Sequence, residues 1–255
     1  MLRFLYLYST DMSEHITIRG EVNLILKDGV TLYAKDGIAG NNYTLNIYGE
    51  EEGTGTIIVD AHQIAGYITA AITMKYLNVY GGRIIVNNSK QPRVRGIEIT
   101  KNCNIYGGYI EAYGGPGNDK GEPHASRNGV SAIYVWNDLC IMGGEVKAYG
   151  GNPGSSWAYA NGTNAIECNA IHVSNKNGNF KGVYGEGSKG YSGGKDRDAL
   201  SSDSHLYIDN TIDLFYGNDL INMNQHVMSP TAKESTIDSD LISGRYIQIK
   251  PKAAP

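Results

Sequence analysis

The chain has 255 residues and a net charge of −4 with both signs interspersed, so nothing in its charge points to nucleic acid, and no acidic block marks a disordered tail. That length suits one large all-β domain, and 33 glycines with 19 tyrosines but only 3 phenylalanines favour pleated strands joined at tight corners. No apolar run is long enough to span a bilayer as a helix, and three cysteines (Cys103, Cys140, Cys168) without a CxxC spacing signal neither a zinc site nor a disulfide framework.

Residues 1–15 carry one short apolar stretch and lack the apolar core and small-residue cleavage site of a signal peptide. They read as an N-terminal capping segment or the remnant of an earlier part of the domain. A strand-like run begins at Ile16, and the principal domain is expected over 16–255.

The signal that organises the rest is an internal repeat. Aligning on a glycine pair gives LNVYGGRIIVNN (77–88), CNIYGGYIEAYGG (103–115) and LCIMGGEVKAYGG (139–151). A looser copy, LNIYGEEEGTGTIIVD, precedes them at 45–60. Degraded copies follow at 171–185 and 206–217, and SGRYIQIKP (243–251) reads as a last trace. Each copy holds two alternating strands, and a third, IEI at 97–99, IYV at 133–135 or IEC at 166–168, precedes some of them. Period-two alternation places Leu77, Cys103, Leu139 and Ile171 in one ladder and Ile84, Ile110 and Val146 in another. Three short strands per repeat with glycine corners and no helical periodicity predict a solenoid. We therefore expect an all-β, single-stranded right-handed parallel β-helix of about eight rungs, roughly 40 Å long at the inter-strand spacing, with loops inserted at one corner. Cys103 and Cys168 fall on inward ladders and Cys140 faces outward. Glu98, Tyr134 and Glu167 share an outward column, and Glu111 and Lys147 are expected to pair across rungs.

The opening EVNLILKDGVTLYAKDGI (21–38) and NYTLNIYGEEEGTG (42–55), followed by the glycine-pair rungs, resembles bacterial secreted and cell-surface parallel β-helix proteins of the carbohydrate-binding-domain type, with the pectate-lyase-like superfold. The resemblance runs from about Ile16 to Gly151 and more weakly to about Ile249. It implies an extracellular or cell-surface location, although no signal peptide is present in this chain. It also implies non-catalytic binding of polysaccharide, including acidic polysaccharide.

Fold alone does not decide chemistry, because lyases and hydrolases use the same superfold. The Asp-Asp, Gly-His-Gly and Arg-x-Lys patterns of polygalacturonases are absent, and Trp136-Asn137-Asp138 is followed by Leu139 where a pectate lyase has histidine. Histidines are scattered, and Gly190-Tyr191-Ser192-Gly193-Gly194 lies in a glycine-rich loop without the strand-then-helix context of a nucleophile elbow. Asp196 and Asp198 are the candidate cation ligands, calcium being the cofactor they suit; the spacing matches no EF-hand loop.

Three inserted loops, 115–129, 151–164 and 185–198, follow the same corner and are expected to cluster. They carry aromatic rings suited to sugar faces, Trp157, Tyr159 and Tyr191, with Asp119, Glu122, Arg127, Lys195 and Arg197 as hydrogen-bonding partners. A second aromatic strip is the column Tyr48, Tyr80, Tyr106, with Tyr113 and Tyr149 at another corner. The leading expectation is a carbohydrate-binding surface protein. The alternatives are a polysaccharide lyase or glycoside hydrolase using late aspartates, and a structural adhesin or spacer. Uncapped coil ends would add self-association.

Overall fold

The structure, a computed structural model, describes residues 3–6, 9–60, 69–88, 92–118, 128–155, 159–201, 204–220, 227–230, 235–238 and 244–253. Its strands alternate between two large sheets, A and B. The chain places β1 (Arg3–Tyr6) in A, β2 (Thr10–Met12) in B and β3 (Ile16–Thr17) in A. Pairs with one strand in A and the next in B follow: β4 (Val22–Leu26) and β5 (Thr31–Ala34), β6 (Ile38–Gly49) and β7 (Thr56–Val59), and β8 (Thr69–Val79) and β9 (Arg83–Val86). Next come β10 (Val94–Ile99) and β11 (Cys103–Ile105) in A with β12 (Tyr109–Tyr113) in B, then β13 (Ile133–Ile141) with β14 (Gly144–Tyr149), and β15 (Ile166–Val173) with β16 (Phe180–Glu186). Last are β17 (His205–Ile208), β18 (Ile212–Gly217), β19 (Val227–Met228), β20 (Ser235–Asp238) and β21 (Tyr246–Pro251). There is no helix among the described residues, and hence none able to cross a membrane.

Every pairing from β1 to β17 is parallel in sheet A, and every pairing from β2 to β16 is parallel in sheet B. This is the predicted parallel β-helix. The ladders match the repeat alignment: Leu77, Cys103, Leu139, Ile171 and Leu206 are register partners in sequence, as are Ile84, Ile110, Val146 and Val183. Nearly all of these side chains are fully buried. Each buried aliphatic contributes about 1.5–3 kcal/mol relative to exposure, which is what selects this register over one slipped by a residue.

The glycine pairs serve two purposes at the A-to-B corner. The second glycine of each pair adopts the left-handed conformation (Gly82 φ 77°, Gly108 φ 83°, Gly144 φ 73°). The first sits against the preceding rung: a Cβ on Gly107 would lie 2.6 Å from the Tyr80 carbonyl oxygen, and one on Gly143 2.1 Å from that of Tyr106.

Three details differ from the sequence reading. The third strand of a rung runs straight into the first strand of the next in β6, β8, β13 and β15, so two of the three predicted faces merge into one bent sheet. Residues 3–6 and 10–12 form a further rung, paired parallel with β4 and β5. The segment 243–251 is not a last rung: β21 runs antiparallel and lies between β16 and β18. Alternation in YIQIK records which side chains are buried, not which way the strand runs. β20 likewise pairs antiparallel with β17.

Outward columns are ordered too. Tyr48, Tyr80 and Tyr106 stack with ring centroids 4.7 and 4.9 Å apart and planes within 3° and 8°. Beside them the side-chain amides of Asn46, Asn78 and Asn104 donate in turn to Asn23, Asn46 and Asn78 at 2.9, 2.7 and 2.9 Å. Cys140 continues that column and faces outward, half-buried, with His172 and then Tyr207 beyond it, their rings stacked 4.6 Å apart.

Candidate functional site

The three inserted loops leave β12, β14 and β16 at one corner and remain stacked on one another by hydrogen bonds. Gly114 N donates to Tyr149 O and Gly150 N to Glu186 O, both at 2.8 Å. Farther out, Gly117 N donates to Asn152 O at 2.8 Å, Ser188 N to Thr163 O at 2.9 Å and Gly162 N to Lys195 O at 2.9 Å. Ser188 fastens the middle and third loops: its hydroxyl donates to Gly151 O and accepts from Thr163 N, both at 2.7 Å. Side chains cross-link the outer turns, with Asn128 Oδ1 accepting from Asn161 N at 3.1 Å and Asn161 Oδ1 accepting from Lys195 N at 2.9 Å.

The predicted loop residues divide. Tyr159 and Tyr191 stand at the tip, 69% and 45% exposed, joined through an antiparallel bridge between Ala160 and Tyr191. Lys195 and Arg197 are exposed on the third loop. Asp196 Oδ1 accepts from Gly190 N and Asp198 Oδ1 from Gly244 N, both at 2.9 Å, so each carboxylate already holds a backbone amide. Burial pushes the Asp198 carboxyl up, against the Gly244 hydrogen bond and Arg197. Among the described residues no group of three or more His, Cys, Asp or Glu is placed to hold a metal ion. Trp157, Asp119, Glu122 and Arg127 lie outside the described residues.

At the root of the loops is a cleft of about 400 Å³, lined by Tyr113, Tyr149, Asn152, Glu186, Lys189 and Arg245 among others. Next to it on the outer face of sheet B lies a second cleft of about 550 Å³, lined by Lys147, Lys181, Tyr184, Gln248 and Lys250. Tyr149 belongs to both. Its ring stacks on Tyr113 at 4.6 Å and 11°, and meets Tyr184 at 5.6 Å and 51°, so three aromatic rings run along the floor.

The local electrostatics keep the phenols neutral and Glu111 charged. Burial, then the hydrogen bond to Glu111, drives the Tyr113 phenol well above its ordinary value. Burial and the Glu186 charge do the same to Tyr184. For Glu111 burial alone would raise the carboxyl, but hydrogen bonds from Tyr109 and Tyr113 and the charges of Lys147 and Arg83 outweigh it and hold it low. Glu111 and Lys147 are register neighbours as expected, yet the Lys147 ammonium meets Glu145 on its own strand at 3.2 Å. The two tyrosine hydroxyls occupy the Glu111 carboxylate instead. Glu186 pairs with Arg245 at 3.5 Å, and the Arg245 guanidinium also lies 4.4 Å from the Tyr246 ring centroid.

Tyr113 and Tyr149 were visible as an aligned column in the repeat, and Tyr184, Glu186 and Arg245 were not. Glu186 stands in register with Tyr149, which an alignment of the degraded 171–185 copy extended by one residue would have shown. Arg245 arrives only because β21 inserts beside β16. No protein-family model, curated protein or solved structure matches the chain.

Proposed function

We propose that the chain is a non-catalytic polysaccharide-binding protein whose principal site is the pair of clefts on the outer face of sheet B. One observation carries the reading: two adjoining clefts share an aromatic floor and are bordered by Lys147, Lys181, Lys250, Lys189 and Arg245. Sugar rings present apolar C–H faces and hydroxyl edges, which suit aromatic platforms flanked by hydrogen-bonding groups. Of these cations, Lys147 and Arg245 are paired with Glu145 and Glu186, and the balance favours a polymer bearing carboxylates. The likeness of the opening segments to secreted and surface β-helix proteins of the carbohydrate-binding-domain type supports the same reading and an extracellular setting.

The two carboxylates that line these clefts are not spaced as the acid pair of a glycosidase. Glu145 and Glu186 lie on adjacent strands but four residues apart in register, since Glu186 faces Tyr149. That is roughly 13 Å along the strand direction, beyond the roughly 5–9.5 Å separating the acid pair of a glycosidase.

Affinity electrophoresis through gels containing polygalacturonate tests the proposal. The expected result is retardation that weakens with added salt and falls at least tenfold in a Lys181→Glu, Lys250→Glu double variant. Release of reducing ends or unsaturated uronates by the purified protein would replace this reading with an enzymatic one. Unaltered migration in polygalacturonate would remove it.

A further inference from the structure

We propose a second glycan-binding surface, around Trp136 on the outer face of sheet A, that takes an uncharged polysaccharide and makes the coil bivalent. The bivalence rests on the sheet B reading; the Trp136 surface itself does not.

Its origin is a local irregularity. β13 pairs with β15 through Val135 and Cys168, then resumes through Asp138 and Ala170. Two residues, Trp136 and Asn137, therefore stand opposite Asn169 alone. Such a bulge bends its strand and re-aims side chains out of the normal alternation. Trp136 and Asn137 are accordingly both exposed in the middle of a strand whose neighbours alternate, and Trp136 is 59% exposed.

The exposed indole rests against a neighbouring ring and makes one long hydrogen bond. Trp136 Nε1 donates to Glu98 Oε1 at 3.4 Å, and the Tyr134 ring meets it edge-on at 6.3 Å and 85°. Tyr134 in turn carries the Arg95 guanidinium 4.0 Å from its centroid, and Arg95 closes the set on Glu98 Oε2 at 3.0 Å. A tryptophan side chain has few rotatable bonds, so its broad amphipathic face gives up little freedom when a ligand stacks on it, which is what a binding platform requires. Loosely bonded amides border it. Asn137 Nδ2 reaches Asn102 Oδ1 and Asn169 Nδ2 reaches Asp138 Oδ1, each at 3.4 Å and each in an exposed setting. Such bonds exchange readily for those of sugar hydroxyls.

The charge balance separates this surface from the sheet B clefts. Arg95 and Glu98 neutralise each other beside the rings, and the Asp138 and Glu167 carboxylates that flank them would repel an acidic chain, so stacking and amide hydrogen bonds to an uncharged polymer are the chemistry the platform offers. Sheets A and B face each other across the shared core, and their outer faces lie on opposite sides of the coil. One molecule thereby holds two chains of different character.

The test is affinity electrophoresis of the full chain in glucomannan, xyloglucan and dextran, with polygalacturonate run in parallel. At least one neutral polymer should retard the protein. Trp136→Ala should reduce that retardation tenfold or more, and Trp136→Phe should retain most of it. Asn137→Ala should weaken it severalfold without removing a ring. Trp136→Ala should leave migration in polygalacturonate unchanged. Failure of every neutral polymer, or equal retardation of wild type and Trp136→Ala, overturns the second surface. Loss of polygalacturonate binding alone would overturn the sheet B reading and leave this one standing. For bivalence, beads coated with the neutral polymer should capture labelled polygalacturonate only when wild-type protein is added; capture that persists with Trp136→Ala counts against it.

Discussion

Tyr149 stacks on Tyr113 with centroids 4.6 Å apart and planes at 11°, and this pair joins the loop-root cleft to the lysine-lined cleft beside it. Stacking of this kind contributes about 0.5–1.5 kcal/mol beyond area burial. Tyr149→Ala should cost about 1 kcal/mol of stability and lower affinity for polygalacturonate about tenfold, whereas Tyr149→Phe should retain most of both. Denaturant titration and affinity electrophoresis on the same preparations separate the two effects.

The corner glycines make a second prediction. A Cβ at Gly151 would lie 1.9 Å from the Gly115 carbonyl oxygen, so Gly151→Ala must force the first two loops apart. It should destabilise by roughly 3 kcal/mol, the upper end for a single substitution. Gly20 has no neighbour within 4 Å of a built Cβ, and Gly20→Ala should be neutral or stabilising by about 0.4–1 kcal/mol through the unfolded chain. Urea midpoints of the two variants provide the comparison.

Thiol chemistry should rank the cysteines. Burial pushes Cys103 and Cys168 up to about 12, and burial with the nearby Asp138 charge raises half-buried Cys140 less. The thiolate is the reactive form. In the native protein a disulfide reagent should therefore spare buried Cys103 and label the two partly exposed thiols, Cys140 before Cys168, slowly and faster as pH rises, while all three cysteines react in denaturant. Fast native labelling of Cys103 would contradict the inward ladder.

Part of the acid sensitivity should come from Asp209, as from Glu111. Burial alone would raise the Asp209 carboxyl, but Ser174, Thr211 and Lys176 outweigh this and hold it below its ordinary value. A depressed folded value means stabilisation that is complete above the unfolded carboxylate value near 4 and is lost as pH falls through the folded one. Asp209→Asn should cost about 1–3 kcal/mol at neutral pH and flatten the fall in stability below about pH 4. Thermal melts between pH 2 and 7 would show it.

The coil was legible because period-two alternation and paired glycines recur at positions that the structure stacks in register, Leu77 on Cys103 on Leu139 being the clearest. What was not legible depends on contacts between distant segments. Arg245 and Glu186 are brought together by a strand whose direction its own pattern does not encode. Trp136 was read only as part of a failed lyase motif. Its exposure comes from one residue more in the β13 bend than in the β15 bend, and that offset has meaning only once the two strands are paired. The loop tyrosines stand at the corner where the three loops stack, but the clefts lie at the roots of those loops, where Tyr149 joins the repeat.

The insertion of β21 between β16 and β18 has a consequence for how the chain acquires its form during synthesis. Each earlier turn can settle on the one before it as it leaves the ribosome, since its partner strands have already been made. β18 cannot complete its pairing in that way. β16 must wait with one edge open until Tyr246–Pro251 has been translated, more than sixty residues later, and long-range pairing of this kind is slow. Winding from one end therefore gives way, at this end, to a closing step in which the chain turns back and seats a single strand between two others. Cells making the protein would carry a transient population with those two edges bare, and that interval is when misassembly is most easily initiated.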